Sequence, residues 1–122
     1  MSTNNTYLAV FLGSKTSARR TDWDALPEGE RRAKEQEGIV AWKAWVETHH
    51  ATIVAMGGPL GKTKKVSQRG IEDTSNDIGA FTVVRAASHE DAAKLFENHP
   101  HFAIFPGDSV EIMPVLPIPG AS

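Results

Sequence analysis

Imidazole titrates near neutrality, and this chain carries it where a folded domain could use it for proton transfer. His49 and His50 close a segment with helical periodicity. There an imidazole can line a pocket and shuttle protons, or it can satisfy free helix-end carbonyls and complement the dipole. His99-Pro100-His101 sets two more beside a second helix end. Together with His49 or His50 these could hold a metal ion, since imidazole suits zinc, copper or nickel. His-x-His alone is a weak signal, Pro100 reads as a helix stop, and no metal site is expected. Asp73 and Asp77 lie in a polar stretch. A partly buried carboxylate there could orient a histidine or act as a base, whereas loop aspartates otherwise make local turns.

A second set of residues could hold a ligand. Trp42 and Trp45 are large, flat and close together, able to floor an aromatic pocket or to fill a core. Trp45 lies toward the edge of the apolar stripe and is the better pocket candidate. Gly57-Gly58-Pro59-Leu60-Gly61 could bring backbone N–H groups to an anion, or simply form a tight turn after a strand. It has the spacing of neither phosphate-binding fingerprint. Lys62, Lys64, Lys65 and Arg69 cluster locally, but no aromatic residue for base stacking stands nearby, so a solvated hairpin explains them.

The elements that must position these residues follow from periodicity. Tyr7-Leu8-Ala9-Val10-Phe11-Leu12 is a six-residue apolar run stopped by Gly13, short enough for a buried strand. Ser14 to Asp22 reads as a loop. Pro27 suits a first helical turn, and Glu28/Arg32, Glu30/Lys34 and Arg31/Glu35 are i,i+4 pairs on a solvated face. Ile39, Trp42, Val46 and His49 then form the core-facing stripe, with Gly38 a place for a bend. Ala51 to Met56 reads as a strand halted by Gly57-Gly58-Pro59. Lys62 to Ser67 suggests a short extra strand, and Gln68 to Asp77 a polar loop. Ala80 to Val84 is the next main strand. Ser88 caps a helix carrying Ala92, Leu95, Phe96 and His99, stopped by Pro100. Ser109 to Val115 is the last strand. The order is β-α-β-β-α-β, an α+β arrangement of four antiparallel strands with two helices on one face.

Two helices cover one face only, yet the strands are apolar on both sides: Tyr7, Ala9 and Phe11 point one way, Leu8, Val10 and Leu12 the other. A wet face would alternate with polar residues, and an apolar face this large exceeds what a monomer tolerates. A homodimer packed sheet against sheet is the expected cover, with a small-molecule cleft between or beside the sheets.

Composition narrows the classes. The 122 residues leave room for one domain, with 1–6 and 116–122 as tails. A net charge of -2 argues against nucleic acid. The absence of cysteine removes disulfides and thiol chemistry and fits a reducing cytoplasm. There is no signal-like N-terminus and no apolar run of membrane-spanning length, so a cytoplasmic protein without membrane contact is expected.

Six segments, in order, resemble the YCII-related family (YciI-like, DGPF-domain proteins). They are Tyr7 to Leu12, Met56 to Gly61, Ile78 to Val84, Ala87 to Ala92, His99-Pro100 and Gly107 to Val115. The resemblance implies a ferredoxin-like fold and a dimeric α+β barrel. In that family a His and an Asp have been proposed as an acid/base pair, and one branch acts on chlorinated aromatic breakdown products. Here the family histidine falls at Val40 or Ala41, and the Asp-Gly-Pro-Phe loop reads Glu72 to Asp77. Asp77, beside the matching Gly79, is therefore the preferred carboxylate. Two functions are expected as alternatives. One is a lyase- or isomerase-type acid–base enzyme, without cofactor, on a small organic acid or aromatic, using His49, His50 or His99 with Asp77. The other is a non-catalytic dimeric small-molecule-binding or accessory module.

Overall fold

The computed structural model describes residues 5–120. β1 (Thr6–Leu12), β2 (Ile53–Pro59), β5 (Ile78–Arg85) and β6 (Ser109–Pro114) form one antiparallel sheet in the order β2-β5-β1-β6. This is the ferredoxin-like α+β topology expected from the order of the elements. Residues 1–4 of the expected N-terminal tail and 121–122 of the C-terminal one lie outside the described residues, and Thr6 already belongs to β1.

Strand alternation places the core. Tyr7, Ala9 and Phe11 lie opposite Val84, Thr82 and Ala80, so all six share one face. Against it pack Ala92 and Phe96, with Trp42 and Trp45 closing over them. Leu8, Val10, Phe81 and Val83 occupy the other face together with Met113, which is 41% exposed. Their side chains are apolar, and among the described residues the helices pack on the opposite face.

The long helix α2 (Glu28–Thr48) meets the core along Gly38, Trp42 and Trp45, one step round from the expected stripe, and Ile39 is 44% exposed. The reason is shape. A Cβ on Gly38 would come 2.5 Å from the Phe105 ring, so the missing side chain lets that ring seat directly on the helix. Of the expected pairs on its solvated side, Glu28 and Arg32 meet at 2.8 Å.

Three further segments depart from the sequence reading. Ser14 to Asp22 is not all loop: the Ser17 hydroxyl caps α1 (Ala18–Asp24) by accepting from the Arg20 N–H. Gln68 to Asp77 is not all loop either, because β4 (Gly70–Thr74) pairs with β3 (Thr63–Ser67) as a separate hairpin inserted between β2 and β5. Pro100 starts a helix instead of stopping one. α3 (His89–Lys94), capped by Ser88 as expected, is followed by Asn98 in the left-handed region (φ 58°), and Pro100 then takes the first position of α4 (Pro100–Ala103).

Candidate functional site

The histidines separate into distinct environments. His99 is fully buried and caps α4, its Nδ1 accepting the His101 N–H at 3.0 Å. That bond fixes the neutral tautomer with its hydrogen on Nε2, which meets no acceptor among the described residues. Aromatic rings enclose it: Trp42 at 4.5 Å between centroids, Trp45 at 4.8 Å, Phe11 at 5.1 Å and Phe96 at 5.9 Å. Burial above all, with the neighbouring His101 and His49, pushes its pKa down from 6.5 to about 3. The ring is therefore neutral at physiological pH and cannot serve there as a proton donor of imidazolium type.

His101 is half-buried against Gly107, and its Nε2 donates to the Leu12 carbonyl at 2.8 Å. Burial lowers its pKa, partly offset by that carbonyl and by the Asp108 charge. His49 is the C-cap of α2, with its ring 4.9 Å from Trp45 and its carbonyl accepting from the Thr52 backbone and hydroxyl. His50 is exposed in the 3-10 turn that leads to β2. The fold thus gathers His49, His99, Trp42 and Trp45 around one cluster and leaves His50 outside. The sequence reading passed over His89, whose Nε2 lies 2.7 Å from the Ile112 carbonyl while its ring stacks on Tyr7. Its place next to the Ser88 cap was the available signal. Among the described residues no group of three His, Asp or Glu is placed to hold a metal ion.

Trp45 spans the cluster, donating its Nε1–H to the Leu95 carbonyl at 2.8 Å, and so packs in the core between α2 and the segment after α3. Gly57, Gly58 and Pro59 are strand residues of β2 and not the turn that ends it. The register slips between Ala55 and Gly58, Gly57 takes φ 65°, and a Cβ there would run into the Phe81 carbonyl. This glycine is required by the strand itself.

Asp77 sits elsewhere, in a cavity of about 740 Å³ between the β1–α1 loop and the base of the inserted hairpin. Its walls include Lys15, Leu60, Lys62, Asp77 and Ile78, and no histidine. The Gly13 N–H donates to the Asp77 carbonyl at 2.9 Å, which fixes that loop beside the carboxylate. Asn76 does the same for the next peptide, its Oδ1 accepting the Ile78 N–H at 2.9 Å. The turn at Leu12 to Ser14 forms a common wall. Leu12 receives the bonds of His101 and of the Asp108 N–H, and the Ser14 N–H donates to the Asp108 carboxylate at 2.8 Å. Asp77 and His99 consequently do not open into one cavity. What the cavity offers chemically is cations for an anion and a carboxylate able to accept a hydrogen bond.

No family model matches the chain, and no curated protein sequence matches it. Among solved structures it is similar to 5-chloro-2-hydroxyhydroquinone dehydrochlorinase (TftG) from Burkholderia phenoliruptrix AC1100, in complex with 2,5-dihydroxybenzoquinone. The TM-score is 0.51 at 17% identity, covering 91% of this chain and 93% of that one. At that identity the likeness is one of fold.

Proposed function

We propose that this chain is a YCII-like protein that binds a small organic acid or aromatic in the cavity beside Asp77, within a homodimer closed face to face as an α+β barrel. The observation that carries the reading is the cavity itself: about 740 Å³, at the end of the sheet, with a carboxylate, several cations and the apolar side chains of Leu60 and Ile78 in its walls. The dimer is supported by the open sheet face, where Leu8, Val10, Phe81, Val83 and Met113 stand together with Glu111 and Arg85 as charged neighbours. The fold neighbour bears on the ligand class, since its bound molecule is a small dihydroxylated quinone.

A second reading is a lyase- or isomerase-type acid–base enzyme without cofactor. The dehydrochlorinase of similar fold and the placement of Asp77 in the cavity favour it. Asp77 would then act with Lys15 or Lys62, because His49, His50 and His99 do not line that space.

The test is a thermal-shift screen of aromatic and dicarboxylic acids, run beside sedimentation velocity at micromolar concentration. A ligand at about 100 times its Kd stabilises by about 2.7 kcal/mol, a rise of roughly 10 °C for a chain of this size. We expect at least one such hit and a dimer. A screen without any shift would remove the binding reading, and an unassociated chain would remove the barrel.

A further inference from the structure

The charges around the Asp77 cavity are unevenly paired. Lys64 lies 2.5 Å from Asp73, and Arg20 lies 3.2 Å from Asp24, so these two cations are already partnered. Lys15 and Lys62 reach the cavity from two separate segments, the loop after β1 and the turn before β3. Among the described residues neither has a carboxylate within ion-pair distance, and the Asp77 carboxylate has neither a cation nor a hydrogen-bond donor. Leu60 and Ile78, 47% and 38% exposed, supply an apolar wall between them.

Two free ammonium groups and one free carboxylate make the site locally positive by one charge. A monoanion restores neutrality, whereas a zwitterion such as an amino acid leaves the excess in place. A plain carboxylate would engage the lysines alone and leave the exposed Asp77 to water. A carboxylate that also carries a hydroxyl engages both kinds of group, since its hydroxyl can donate to Asp77 while its anion meets the lysines. Resting on the reading of this cavity as the ligand site, we infer that its ligand is a small hydroxylated carboxylic acid with an apolar body. Lys15 and Lys62 take its carboxylate, Asp77 takes its hydroxyl, and Leu60 and Ile78 cover the body.

Isothermal titration of the full chain at low salt with 4-hydroxybenzoate, benzoate and phenol separates these contributions. We expect 4-hydroxybenzoate to bind at least about fivefold more tightly than either of the others, and to weaken as salt rises. Lys15→Gln and Lys62→Gln should each reduce its affinity by about fivefold without changing that of phenol. Asp77→Asn should weaken 4-hydroxybenzoate and leave benzoate unchanged or tighter. Circular dichroism of these surface variants checks that each is folded. If phenol binds as well as 4-hydroxybenzoate, or if both lysine variants bind like the parent, the assignment fails while the cavity remains a ligand site. If none of the three probes binds while the wider screen yields another ligand, the assignment likewise fails alone. If nothing binds in either experiment, both fall together.

Discussion

Acidification from pH 7.5 to 4.5 is expected to remove about 3 kcal/mol of stability through His99 alone. The sign follows from the direction of its shift. With a folded pKa of about 3 against 6.5 in the open chain, the unfolded state binds the extra proton first as pH falls. Both states are neutral at this ring above about 6.5, so stability is complete there. It declines by about 1.4 kcal/mol for each pH unit below that, down to the folded pKa. His101 is lowered as well and acts in the same direction. Against a total of about 5–15 kcal/mol for a domain, the loss is between about a fifth and about three-fifths of the stability. Urea denaturation at several pH values, followed by the fluorescence of Trp42 and Trp45 that flank His99, measures it. His99→Asn keeps a side chain able to accept the His101 N–H and removes the titration. The variant should be less stable at pH 7.5 and show a distinctly flatter dependence on pH. An unchanged slope would mean that the ring is not held neutral by burial.

Gly57→Ala is the second change of large expected effect, a loss of about 3–5 kcal/mol. The left-handed backbone at φ 65° already disfavours an alanine by about 1–2 kcal/mol. The added methyl would also collide with the Phe81 carbonyl of the adjacent strand, a backbone atom that cannot swing aside. Gly58→Ala is the control, because nothing lies within 4 Å of a Cβ there. It should fall within about 1 kcal/mol of the parent in the same denaturation series. Equal stability of the two variants would show that the bulge in β2 does not require its glycine. The contrast isolates the part that Gly57 plays in the pairing of β2 with β5.

The parts of this fold legible in the sequence are those governed by near neighbours along the chain. The two-sided apolar run at Tyr7 to Leu12, the Ser88 cap and the alternation of β and α elements each carry their own local signal, and together they define the sheet and its topology. Ser17 carried a cap signal of the same kind and was hidden by the charged residues around it. The Gly70–Thr74 strand holds Gly70, Glu72 and Asp73, residues depleted in strands, beside the strand-favouring Ile71 and Thr74. Its structure comes from the partner strand, in which Lys64 meets Asp73 and Lys65 meets Glu72 across the ladder.

The candidate site was legible in its residue types and not in its grouping. Asp77 stood out as a loop carboxylate, but nothing in the linear chain placed Lys15 and Lys62 on the walls of one cavity, which forms only between the loop after β1 and the inserted hairpin. His99 looked like a titrating group at a helix end, and only the closure of Trp42, Trp45, Phe11 and Phe96 around it made it a neutral buried cap. By itself the sequence determined which segments are strands and helices at the core and that the sheet is apolar on both faces, since caps and periodicity act within a few residues. The tertiary structure alone decided which side of α2 turns inward and which histidine loses its water. It also decided which charges remain unpaired around a shared cavity. Those outcomes depend on shape and solvent exclusion between segments distant in the chain, as where Gly38 admits the Phe105 ring.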